Sequence, residues 1–137
     1  MKPNALLTIA SLLSMLFGTF HLASDIVYGY EPGTVINLII VPIVVVWLYA
    51  TLVLAERRSG YIIILLFSFL SLAAPIVHMK GKGIGLASSR LANTSGHFFF
   101  VWTLIALGVT ALFSVILSAR GLWNLPWRRP RSSNIQT

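Results

Sequence analysis

The chain has 137 residues, of which 57% are hydrophobic and only 9% charged, with a net charge of +7 and a mean hydropathy of +0.87. Soluble domains carry about a quarter charged residues, so this composition excludes a water-soluble globule and marks an integral membrane protein. There is no cysteine, which removes disulfides, thiolate metal sites, CxxC redox chemistry and cysteine nucleophiles together.

The first apolar run covers residues 5–24, after a single Lys2. Its end, "FHLASD", offers a poor small-x-small cleavage site, so the run is expected to be a retained span rather than a signal peptide. Further runs at residues 35–54, 60–78 and 97–118 each approach the ~20 residues that a helix needs to cross a bilayer. No barrel-like alternation occurs, and backbone groups in lipid must pair within their own segment. The expected fold is all-α: one membrane domain over residues 1–137, a compact bundle of four transmembrane helices with short loops, followed by a cytoplasmic tail over 119–137.

Lysine and arginine placement sets the expected orientation. Lys2, Arg57, Arg58, Arg120, Arg128, Arg129 and Arg131 fall on one side, whereas Lys80, Lys82 and Arg90 share a single loop on the other. Both termini are therefore expected in the cytoplasm, in the manner of a bacterial inner-membrane protein. Trp123 and Trp127 beside Arg128 and Arg129 read as an interfacial anchor. The same clustering at span ends, with no basic stripe interleaved with aromatics, argues against nucleic acid as a partner and for the lipid bilayer.

This topology gathers the unusual residues at one face. His21 and Asp25 end the first span, Glu31 precedes the second, His78 ends the third and His97 opens the fourth. His21 and Asp25 are one helical turn apart, above a ridge of small residues at Ala10, Ser14 and Gly18 that turns them inward. His78 stands above Ser71, Ala74 and Pro75, again a small face. The fourth span is ambiguous. Its small ridge of Ala106, Thr110, Ser114 and Ser118 begins on the side away from His97, while Gly108 and Ala111 lie beneath it. Pro42 and Pro75 each remove a helical hydrogen bond in the outer half of a span, which points to a polar vestibule there.

Imidazoles with a carboxylate suit zinc, copper(II) or non-haem iron, so His21, Asp25, His78, His97 and Glu31 are the candidate ligands of a transition metal. A haem held between two histidines is the second cofactor reading, with Phe98, Phe99, Phe100 and Trp102 as its lining. A catalytic His–Asp pair would need a nucleophile, and none of Ser24, Ser88, Ser89 or Ser95 sits in a nucleophile motif, so no reaction is assigned. The competing class is an accessory subunit, or a homo-oligomer, that meets its membrane partner through the small-residue ridges and holds no cofactor. Small four-helix multidrug exporters resemble this chain in size, but they carry a glutamate within helix one, where this chain has "TIASLLSMLFG". No ionisable residue stands in the middle of a span, which argues against a proton-coupled carrier.

Overall fold

The computed structural model describes residues 3–80 and 95–125. The glycine- and lysine-rich loop with Lys82 and Arg90, and the tail with Trp127, Arg128, Arg129 and Arg131, lie outside the described residues.

Four helical spans, Asn4–Val27, Val35–Leu52, Arg58–His78 and Ser95–Asn124, are long and apolar enough to cross a bilayer. The first is a single helix, α1 (Pro3–Val27). It ends in a Schellman turn. Gly29 takes a left-handed conformation with φ 72°, and the Tyr30 and Gly29 amides donate back to the carbonyls of Asp25 (2.8 Å) and Ile26 (3.1 Å). Thr34 then restarts the helical course, its amide bonded to Asn37 Oδ1 at 2.9 Å.

The second and third spans are composite. A 3-10 turn (Val35–Ile39) leads into α2 (Ile40–Leu52), and α3 (Arg58–Ser71) gives way at Leu72 to α4 (Ala73–Lys80). Pro42 and Pro75 are each the third residue of the α segment that follows the change. A proline in the first helical turn loses no hydrogen bond that the helix would have made, so both spans break just before the ring. The last helix, α5 (Ser95–Asn124), is unbroken.

These helices form an antiparallel bundle in which α5 is the centre. It packs most extensively on α1, then on α3, whereas α2 rests at the edge against α3 and α1. Beside apolar side chains such as Phe100, Leu104 and Ile64, the interior holds many small polar ones: Ser11, Ser14, Ser68, Thr103, Ser114 and Ser118 are all fully buried. Leu6, Ile9, Phe69, Val109, Phe113 and Ile116 face outward. In water this distribution would be inverted. In lipid nothing drives leucine inward, and helices associate through close approach of small residues and hydrogen bonds such as Ser11 to Thr51 (2.8 Å). The chain is an integral membrane protein.

The small ridges are used within the chain. Ser14 faces the interior, Leu107 packs over Gly18, and Ser114 and Ser118 are buried along α5. Ala10, Ala106 and Thr110 of the same ridges stay partly exposed. The inward seam of α5 runs Phe100, Leu104, Leu107, Ala111, Ser114, Ser118, alternating steps of four and three. His97 extends that seam by one step, which resolves the ambiguity of the fourth span in favour of an inward histidine.

Candidate metal centre

The Schellman turn makes Asp25 a residue with two tasks. Its carbonyl receives the Tyr30 and Glu31 amides (2.8 and 3.2 Å), while its side chain points into the bundle, 9% exposed. His21, one turn earlier on the same face, is 4% exposed at its side chain. The ridge beneath them allows α5 to approach, and Phe100 of α5 lies against the His21 ring with centroids 4.9 Å apart.

His78 arrives from the opposite direction. The span is interrupted at Leu72, and Pro75 then packs on Gly108 of α5, where a side chain would press on the proline ring. The His78 imidazole is thereby brought edge-to-face against His21, with centroids 4.7 Å apart. It also meets Phe100 at 5.5 Å.

Asp25 Oδ2 lies 3.7 Å from His21 Nε2 and 3.6 Å from His78 Nε2. Both separations are too long for hydrogen bonds. They are close to the span between two ligands of one tetrahedral zinc, about 3.4 Å for bonds of about 2.1 Å. One ligand atom from each of the three residues lies within 4.8 Å of the other two. Both nitrogens of His21, Oδ1 of Asp25 and Nδ1 of His78 are buried without a hydrogen-bonding partner among the described residues. Unpaired polar groups in a lipid-embedded interior cost several kcal/mol each by order of magnitude. A buried His/Asp group able to coordinate a metal ion is thus built into one end of the bundle.

The other two expected ligands are placed differently. Glu31 is exposed in the turn after α1 and close enough to Asp25 and His78 to interact with their charges, but it does not belong to the three-residue group. His97, with Nδ1 buried and unpartnered, is outside the group as well. Tyr30 lies against Phe100 at 5.7 Å, its hydroxyl also buried and unpartnered. Sequence reasoning passed over Tyr30. The signal for it was the Tyr-Gly-Tyr that closes α1, since a left-handed glycine folds the following residue back over the helix end.

A second polar cluster occupies the opposite end. Asn4 donates from its side-chain amide to Glu56 and accepts from the Tyr61 hydroxyl at 3.0 Å. A cavity of about 560 Å³ beside it is lined by Arg120, Asn124 and Leu125 among others. Glu56 holds a left-handed backbone with φ 67° in the turn between α2 and α3.

The fold and the group together define a class: a four-span helical membrane protein with a buried two-histidine, one-carboxylate cluster. No protein-family model matches the chain, and no curated protein or solved structure matches it significantly.

Proposed function

We propose that this is a metal-binding protein of a bacterial inner membrane, with both termini cytoplasmic, and that His21, Asp25 and His78 hold a divalent transition ion near the outer face. The observation that carries the reading is the set of orphaned atoms, since two imidazoles and a carboxylate converge with nothing among the described residues to satisfy them. Three protein ligands leave at least one coordination position open, as in zinc or ferrous sites that bind an exogenous molecule. With no thiolate in the chain, the donor set favours zinc or iron(II) over copper(I).

The edge-to-face contact of His21 and His78, at 4.7 Å, speaks for a bare ion over a haem sandwiched between the rings. Glu31, exposed above the group, supplies negative charge on the route by which a cation enters. The orientation rests on the seven basic residues gathered around Lys2, Arg57 and the end of α5.

The test is metal content per chain of the purified protein, against His21→Ala and His78→Ala. The reading expects near-stoichiometric zinc or iron that is lost in both variants. Metal-free protein after growth in zinc- and iron-supplemented medium, purified without chelators, contradicts it.

A further inference from the structure

The cavity of about 560 Å³ at the end of the bundle opposite the His/Asp group is shaped by two close approaches. Gly60 lets the α2–α3 turn fold back on the start of α3, since a Cβ there would strike the Leu54 carbonyl. Gly121 lets the Tyr61 ring sit directly on α5, where a Cβ would collide with it. From that seat the Tyr61 hydroxyl reaches Asn4, and the Asn4 amide reaches Glu56. Arg120 and Asn124 bring the last turns of α5 to the same cavity.

Its level in the bilayer follows from the spans. Asn4 opens the first, Arg58 opens the third and Asn124 closes the fourth. The cavity therefore lies where three helices leave the hydrocarbon, at the depth of lipid head groups. Leu6 and Leu117 also line it, and Leu6 is 45% exposed, so an apolar wall leads from the cavity to the lipid.

Charges of both signs line the cavity and are not spent on each other. Glu56 and Arg120 are both exposed there, yet no ion pair joins them among the described residues. The bond from Asn4 uses Oε1 of Glu56, which leaves Oε2 for another donor. Arg58 is turned to the Leu125 carbonyl, at 3.4 Å. An arginine fork matches a phosphate, and a carboxylate accepts from a primary ammonium. An acid and a guanidinium held apart in one cavity suit a ligand that carries both charges a short linker apart.

We propose that this cavity binds the head group of a zwitterionic phospholipid, its phosphate on Arg120 and its primary ammonium on Glu56, with the acyl chains leaving past Leu6 and Leu117. The site is separate from the His/Asp group and stands or falls without it.

The experiment is a native mass-spectrometric titration of the full chain in detergent. The probes are phosphatidylethanolamine, phosphatidylcholine and phosphatidylglycerol with the same acyl chains, and glycerophosphoethanolamine as the soluble head group. Phosphatidylethanolamine is expected to bind about tenfold more tightly than the other two lipids, the worth of one charged hydrogen bond. The choline head has no N–H to give Glu56, and the glycerol head has no cation. Glu56→Gln, which keeps an acceptor for Asn4, is expected to erase the preference for ethanolamine over choline. Arg120→Gln is expected to weaken all three lipids about tenfold. Asn124→Trp, which fills the cavity and leaves both charges in place, is expected to lose the lipid while melting like the wild type. Displacement of the lipid by glycerophosphoethanolamine at equal affinity supports the head-group site and removes the acyl chains from it. Equal affinity for the three lipids overturns the proposal, and so does tighter binding of phosphatidylglycerol that Glu56→Gln leaves unchanged, the mark of a basic helix end attracting negative charge.

Discussion

Asp25 and His78 are separated in sequence by the whole of α2 and α3, yet Asp25 Oδ2 and His78 Nε2 lie 3.6 Å apart in the bundle interior. Two backbone features flank that meeting: the Gly29 turn that ends α1 just past Asp25, and the interruption at Leu72, before Pro75, in the span that carries His78. Among the described residues, no other side chain is hydrogen-bonded to those atoms.

Removal of a ligand should be far more costly to metal binding than to folding. Asp25→Asn and His78→Ala are expected to weaken zinc affinity by more than ~100-fold, beyond what loss of an outer-shell partner costs. The thermal midpoint of the metal-free protein should stay the same or rise, because His78→Ala removes a buried nitrogen that lacks a partner and Asp25→Asn removes a buried charge while keeping the side chain's shape. Competition with a chromophoric chelator reads the first quantity, and circular dichroism on heating the second. Equal affinities in wild type and both variants would show that the cluster does not bind the ion.

Zinc binding should weaken as the solution is acidified. Imidazole and carboxylate ligands must shed protons to bind, so protons compete with the metal and loading releases them to the buffer. Affinity is expected to fall steadily from about pH 8 to about pH 5, the range in which histidine ordinarily titrates. Calorimetry in buffers of different ionisation enthalpy counts the protons released. No proton release and a flat profile would mean that the ion sits on backbone or solvent oxygens.

Pro75→Ala tests positioning apart from ligation. Without the ring, the amide of residue 75 can bond to the Ser71 carbonyl and the third span can run on as one helix. His78 would then leave its place against His21. Zinc affinity is expected to drop at least ~10-fold, with all three ligands present and no loss of thermal stability. An unchanged affinity would mean that the proline ring, by its break or by its packing on Gly108, does not set the place of His78.

Tyr28 and Gly96 form the clamp that holds the start of α5 over the end of α1. A Cβ at residue 96 would collide with the Tyr28 hydroxyl, so Gly96→Ala is expected to destabilise the fold by about 1–3 kcal/mol, the usual cost of overpacking. Combined with Tyr28→Leu, the same change should cost less than the sum of the two single changes. Additive effects in a thermal or denaturant series would separate the two residues energetically.

Across α1 and α2, Ser11 and Thr51 share a buried hydrogen bond of 2.8 Å. Ser11→Ala and Thr51→Val should show a coupling of about 0.6 kcal/mol, typical of hydrogen bonds between membrane helices. A coupling near zero would indicate that Thr51, which also bonds the Trp47 carbonyl, is satisfied without its neighbour.

Much of this was legible in the residues themselves. Apolar runs of bilayer length specify the spans, and the four-residue step from His21 to Asp25, above Ser14 and Gly18, specifies which way they face. The small side of the third span at Ser71 and Ala74 specifies His78. The fourth span was harder, because the ridge Ala106–Thr110–Ser114–Ser118 advances by four residues each time and so drifts around the helix by about 40° per step. The true seam alternates fours and threes from Phe100 to Ser118, large side chains at one end and small at the other, and only that rhythm stays on one face. Which polar residues close to within ligand distance depends on axial height to within an ångström. Sequence phase does not carry that information, and Glu31 and His97 fall outside the group for that reason.

The most direct measurement is zinc K-edge X-ray absorption on the metal-loaded protein and on the His21→Ala, His78→Ala double variant. The account predicts a first shell of two imidazole nitrogens and one or two oxygens at about 2.0–2.1 Å in the wild type, with the imidazole scattering gone from the double variant. A shell of oxygens alone, or a spectrum that is the same in both proteins, would contradict it.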